Sequence, residues 1–273
     1  RLTANAVVLT AGYVYRQAPG IVVAATAVAV GVISEAVYAG LRIRPIVRDQ
    51  IRTAPRDPTP FTTREFVAFY IPLALTSLIT FFVSPVGSAA MSRMPDALSS
   101  LAVWPVVSGY VAVLRSPGLA YTEVIVALLD DVRAYANLHR FATLLGAGLV
   151  VLVVLVAVTP LAGVWLDDVM ALPDNLLPLG RKALWLVTPL PVLALLQSWY
   201  QGIIVNSKRT RGVTESVVLY MVIMILAFTV GVATQRVAGL IVAVVAMSVA
   251  ALAQVTWLRY RSRPAIRSLT SFR

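Results

Sequence analysis

Long apolar runs separated by short polar, mostly basic breaks dominate the chain. A bilayer-spanning helix needs about 20 mostly apolar residues. Seven stretches meet that need: 19–41, 66–90, 98–129, 141–161, 183–204, 213–233 and 237–258. One further apolar stretch, 3–15, is shorter. Residues 98–129 are too long for a straight perpendicular span. Tilt, a kink at Pro105 or Pro117, or an extension out of the bilayer has to absorb the excess. The pattern predicts an all-α polytopic membrane protein. Within it, residues 66–130 read as two apolar helices joined at Met94-Pro95-Asp96. Prolines interrupt both, Pro72 and Pro85 in the first, Pro105 and Pro117 in the second, and the second also carries Arg115 and Glu123. Interrupted helices with ionisable residues at membrane depth point to a transport site.

Composition agrees. The 273 residues are 59% hydrophobic and 13% charged, with mean hydropathy +0.84, whereas soluble chains average about 25% charged. Without cysteine there are no disulfides and no thiolate chemistry. One histidine leaves no scope for a multi-histidine metal site. No His-Glu-x-x-His, no Gly-x-Ser-x-Gly and no paired intramembrane aspartates occur, which argues against an intramembrane enzyme. No metal, catalytic residue or cofactor is expected.

The net charge of +11 raises nucleic acid or anionic lipid as partners, and the positions of the charges decide. Arg42, Arg44, Arg48, Arg52, Arg56 and Arg64 lie in the linker 42–65, Arg133 and Arg140 in the loop 130–140, and Lys208, Arg209 and Arg211 in the loop 205–212. Arg259, Arg261, Arg263, Arg267 and Arg273 follow the last span. With Arg1 these share one side. Arg16, Arg93, Arg181, Lys182 and Arg236 fall on the other, against Asp96, Asp167, Asp168 and Asp174. This is a positive-inside distribution, so the arginines serve as topology signals and no nucleic-acid partner is expected. It predicts a multi-pass cell (inner) membrane protein with its C-terminus in the cytoplasm.

The chain also matches itself. Residues 20–45 align without gaps to 239–264, with the same Arg-x-Arg-Pro end, Glu35 opposite Gln254 and Tyr38 opposite Trp257. Upstream, RLTANAVVL (1–9) aligns to RGVTESVVL (211–219) if the first copy is nine residues shorter, the offset changing from 219 to 210. Both copies run the same way, which makes the repeats parallel. The expected organisation is one complete six-helix lobe plus the last two helices of a preceding lobe. Residues 1–45 are that helix pair, 46–65 a cytoplasmic inter-lobe linker, 66–264 the C-terminal lobe and 265–273 a basic tail. The earlier lobe, of the same protein, would then lack its first four helices.

Three segments carry a family resemblance: FYIPLALTSLITFF (69–82), WPVVSGYVAVLRSPGLAYTEVIVALLD (104–130) and LPVLALLQSWYQGIIVNSKRTRGVTE (190–215). In order and spacing the chain resembles the multidrug and toxic-compound extrusion (MATE) branch of the multidrug/oligosaccharidyl-lipid/polysaccharide flippase superfamily, and within it bacterial relatives of the progressive ankylosis protein. The resemblance implies a secondary transporter whose two lobes rock about a shared substrate cavity. The ankylosis-type relatives imply export of small organic anions such as citrate, nucleotide or pyrophosphate. The drug-extrusion relatives imply exchange of cations for Na+ or H+, and a third branch a lipid-linked saccharide flippase. The expected function is alternating-access export of a small anionic solute across the lipid bilayer, with coupling to Na+ or H+ open.

Candidate solute-binding residues follow from polar side chains in apolar spans. Arg115 and Glu123, about two turns apart, read either as an anion-attracting charge with its partner or as a structural pair near the cytoplasmic surface. Ser116-Pro117-Gly118 between them favours a local break, and Tyr121 and Thr122 add hydrogen-bonding groups. Ser77, Ser84 and Ser88 share a face and read as helix packing or ligand contact. Trp104 with Ser108, and Gln197 with Gln201, read as cavity lining or an interfacial belt. Glu35 reads as a partner of the nearby basic cluster or as a buried carboxylate. Asp167, Asp168 and Asp174 read as a solvated loop or a cation site.

Overall fold

A computed structural model describes residues 1–15, 19–51, 62–207 and 210–270. Arg16, Arg52, Arg56, Lys208, Arg209 and Arg273 lie outside the described residues, as do the side chains of Arg64, Pro72 and Ser77. The chain is an all-α polytopic membrane protein. Among the described residues, six helical segments are long and apolar enough to cross a membrane. Contacts divide the chain into residues 1–62 and 63–273.

The first unit is a helical hairpin, α1 (Leu2–Tyr15) and α2 (Gly20–Ile46). The helix does not end at the expected linker start. Helix α2 passes through Pro45 and widens into a π-helical turn, Val47–Ile51. Arg1 pairs with Glu35 at 3.5 Å. Gly12 on α1 lies directly against Val23 on α2.

The second unit holds α3 (Thr63–Met91), α4 (Ala97–Leu128), α5 (Val132–Val158), the short α6 (Leu161–Val164), α7 (Leu177–Leu186), α8 (Leu190–Asn206), α9 (Arg211–Thr234) and α10 (Gly239–Thr270). The last pair repeats the first unit's hairpin in register. The offset is 219 residues from Gly20 to Gly239. The same offset carries Gly12 and Val23 onto Gly231 and Val242, where a Cβ on Gly231 would meet Val242 Cγ1 at 2.9 Å. The nine-residue gap drawn from sequence is therefore not needed. The apparent match of 1–9 to 211–219 reflects shared apolar composition, not equivalent positions.

Three helices of this unit, α4, α8 and α10, run parallel and form its centre. Gly118 of α4 accepts the α8 backbone so closely that an added Cβ would lie 3.1 Å from Leu195 N. Seven residues further along both helices, a Cβ on Gly202 of α8 would lie 2.7 Å from Ile125 Cβ. Lipid supplies no hydrophobic drive between helices, so small residues that let backbones approach are what such a seam requires. This also explains why α4 does not break at Ser116-Pro117-Gly118, as the sequence favoured. Proline 117 has no N–H for the Val113 carbonyl, and the Ser116 hydroxyl donates to that carbonyl instead, at 2.7 Å.

Four boundaries differ from expectation. Helix α5 begins at Val132, with Asp131 accepting from Ala134 N at 2.6 Å as its cap. Arg133 and Arg140 thus sit on a helix and not in a loop. The expected span 183–204 is two helices, because Pro189 and Pro191 cannot donate to a continuing ladder. Helix α10 runs to Thr270, since Ala265 and Ile266 pack on the cluster of Tyr121, Ile125 and Leu129. The expected span 66–90 lies within α3, most of whose side chains are outside the described residues.

The two ends of the second unit differ in charge. At one end, Gln235 Nε2 donates to the Arg93 carbonyl at 2.6 Å and Gly239 N to the Pro95 carbonyl at 3.2 Å, which joins the α3–α4 and α9–α10 turns. Arg93, Arg181, Lys182 and Arg236 there face an equal number of aspartates, Asp96, Asp167, Asp168 and Asp174. The other end carries Arg133, Arg140, Arg211, Arg259, Arg261, Arg263 and Arg267. There Glu215 of α9 accepts from Trp257 Nε1 at 3.2 Å and from Arg261 at 3.0 and 3.1 Å, with Arg211 at 3.4 Å.

Candidate functional site

A cavity of about 260 Å³, open on one side where Ser84 is exposed, lies among α3, α4, α8, α9 and α10. Alpha-4 contributes Trp104 and Arg115, α8 Gln197, and α3 Ser84 beside Gly87. Tyr220, Met224 and Phe228 come from α9, and Met247 and Gln254 from α10. The prolines of α4 are exposed and its apolar core face points at α8, while Trp104 and Arg115 are half-buried on the cavity wall.

Among the described residues, Arg115 is the one charged residue on the wall of this cavity. Its Nε is buried and has no hydrogen-bond partner. A buried guanidinium N–H without an acceptor costs more than a neutral one would, because hydrogen bonds to charged groups are the stronger kind. Gln254 is only 5% exposed, and its Nε2 makes one long bond, 3.4 Å, to Ser216 Oγ. The site therefore offers one cation, two amides and a phenol at one level of the helices. A negatively charged acceptor is the complement of that set.

The structure brings four of the expected residues together: Ser84, Trp104, Arg115 and Gln197. The others lie elsewhere. Glu123 is exposed on α4 and forms no ion pair with Arg115 among the described residues. Eight residues at 3.6 per turn leave roughly 80° of rotation between them, enough to put one inside and one outside. Tyr121 is buried in an aromatic group with Phe141, Tyr135 and Trp199, and its hydroxyl donates to the Leu138 carbonyl at 2.6 Å. Ser108 donates to the Pro105 carbonyl at 3.2 Å. Ser88 and Gln201 are half-buried and do not line the cavity. The side chain of Ser77 lies outside the described residues.

Tyr220 and Gln254 were missed as site residues. Gln254 carried a usable signal, an uncharged amide deep in an apolar run, already visible opposite Glu35 in the repeat. Tyr220 carried none, since a tyrosine in a span reads equally as an interfacial anchor.

A larger cavity, about 640 Å³, opens at the aspartate-containing end between Tyr110, Thr159, Asp167, Asp168, Arg181 and Trp185. Its three charged residues are exposed, and Asp174 is not among its lining. Among the described residues no group of three or more acids, histidines or cysteines is placed to hold a metal. Of the two, the smaller cavity is the one whose described lining includes a charged side chain with a buried N–H that lacks a hydrogen-bond partner.

No family model, no curated protein and no solved structure matches the chain.

Proposed function

We propose that the protein is a secondary transporter of a small organic anion, with the second unit as one six-helix lobe of a MATE-like, two-lobe carrier. The observation that carries this reading is Arg115, a guanidinium with a buried, unpartnered Nε on the wall of a cavity between the helices of the second unit. An ionisable residue inside a span is costly, about 2.5–3.5 kcal/mol at the bilayer centre, and is kept where it meets a substrate or a partner. Among the described residues, no carboxylate lines the cavity to be that partner. The in-register helical hairpins, α1–α2 and α9–α10, support a two-lobe design built from parallel repeats. The arginine-rich end of the second unit supports a cytoplasmic C-terminus in the cell membrane. The cavity volume favours a small solute over a lipid-linked saccharide.

The test is counterflow in proteoliposomes of the full-length protein, with radiolabelled hexanoate, succinate and citrate as anions of increasing charge. Exchange of at least one of them, lost in Arg115→Ala at equal reconstitution, is the expected result. Equal exchange in both proteins would refute the role of Arg115, and none with any anion would refute the reading.

A further inference from the structure

The cavity has two chemically distinct ends. Helices α4 and α10 run from the aspartate-containing end toward the arginine-rich end, and α9 runs back. Along α4, Trp104 precedes Arg115 by about 16 Å of helix. Along α10, Met247 precedes Gln254 by about 10 Å. On α9 the order reverses, with Tyr220 first and Met224 and Phe228 after it. Arg115, Gln197, Tyr220 and Gln254 therefore share one end, and Trp104, Met224, Phe228 and Met247 share the other. At that apolar end Gly87 of α3 leaves room beside Phe228, whose ring edge would lie 3.4 Å from a Cβ there.

Charge and size both restrict what fits. One guanidinium matches one anionic group, and each further carboxylate or phosphate charge would be desolvated with no cationic partner among the described wall residues. The volume, about 260 Å³, is below the 300–1,000 Å³ of sites for drug-sized ligands. The apolar end is lined by two methionines and two aromatic rings, a soft surface that adapts to a flexible chain or a ring. A carboxylate approaching a guanidinium side-on takes the Nε–H and one Nη–H together, which would satisfy the orphaned Arg115 Nε.

Resting on the transport reading above, we infer that the ligand is a monovalent amphipathic organic acid. Its single carboxylate sits on Arg115, with the Gln197 and Gln254 amides alongside. Its unbranched aliphatic or aryl-alkyl body lies among Trp104, Met224, Phe228 and Met247. Polyanions of the citrate or pyrophosphate kind, which the family resemblance suggests, do not suit a wall with one cation among its described residues.

Calorimetric titration of the full-length protein in detergent tests this, with hexanoate, 3-phenylpropionate, citrate and inorganic pyrophosphate as probes. The first two are expected to bind, and Arg115→Ala to weaken them about tenfold or more, the loss of one charged hydrogen-bonding partner. Arg115→Lys keeps the charge and the fold but not the fork, and is expected to weaken them too. Trp104→Ala is expected to cost 3-phenylpropionate more than hexanoate. Thermal melting checks that each variant is folded. Arg115-dependent binding of citrate or pyrophosphate, without binding of hexanoate, would overturn the ligand class and leave anion transport standing. Equal hexanoate affinity in all the Arg115 variants would place binding elsewhere and overturn the inference. Arg115-dependent hexanoate binding without flux of any anion would sustain the ligand class and sink the transport reading.

Discussion

The seam between α4 and α8 holds Arg115 and Gln197 in place, and substituting one glycine tests it. Gly202→Ala adds a single methyl group to α8. In a free helix that change is favourable by about 1 kcal/mol. At this position the new carbon would lie 2.7 Å from Ile125 Cβ, 2.8 Å from its Cγ2 and 3.1 Å from its Cδ1. Ile125 is fully buried and its Cβ is fixed to the α4 backbone, so no rotamer change removes the clash. Overpacking of this kind costs about 1–3 kcal/mol, and a contact that only a helix shift can relieve belongs in the upper half of that range. Subtracting the helix-propensity gain leaves a net destabilisation of about 1–2 kcal/mol. Gly118→Ala is expected to behave the same way, because its new carbon would meet backbone atoms of Leu195 and Ala194 at 3.1 and 3.3 Å. Gly109→Ala is the control on the same helix as Gly118. Nothing lies within 4 Å of its added carbon, so it is expected to be neutral or stabilising. Unfolding in mixed detergent–SDS micelles, followed by circular dichroism, reads all three. Equal effects at positions 109, 118 and 202, or stabilisation at 202, would refute the parallel, closely approached seam.

Other predictions follow from single contacts. Glu215→Ala removes the acceptor shared by Trp257 and Arg261, and is expected to cost about 1–2 kcal/mol after allowing for partial exposure. The wild-type advantage in melting should shrink as salt rises. Asp131→Ala removes the α5 cap and is expected to cost about 1 kcal/mol, with Asp131→Asn recovering most of it. The chain has no cysteine, so single cysteines report topology without background. Cysteines at Ser207 and Arg259 are expected to react with an impermeant maleimide only from the cytoplasmic side, and those at Asp96 and Arg236 only from outside. Reaction from the opposite sides would invert the orientation argued from the arginines.

Much of the fold was legible because membrane burial imposes length and polarity together. The spans expected at 19–41 and 98–129 followed from long, mostly apolar runs and match α2, apart from its longer C-terminal end, and α4. The start of α5 did not, because Asp131 to Arg140 is polar on average. That segment is helical through spacing, with Tyr135, Leu138 and Ala142 packed near Trp199. Hydropathy averaging over a window hides such a face. The end of α10 was hidden in the same way, by arginines that surround the buried Ala265. Within the site, Arg115 was legible because a charge in an apolar span is driven to face protein or water. Its assumed partner, Glu123, was not, since helical rotation over eight residues decides which neighbour each faces. Tyr121 was misjudged because its acceptor, the Leu138 carbonyl, is a backbone group on another helix. The role of Pro117 was inverted by Ser116, whose hydroxyl repairs the ladder the proline opens.

The central claim is that the Arg115 cavity is a water-reached anion site, and Ser84→Cys tests it most directly. Position 84 lies on the α3 side of the cavity wall, in a chain without other cysteines. A small thiol reagent added to the full-length protein in liposomes should modify this cysteine. Saturating hexanoate should slow the reaction in the Arg115 protein and leave it unchanged in Arg115→Ala. A cysteine modified at the same rate with and without hexanoate, whatever stands at position 115, would contradict the account.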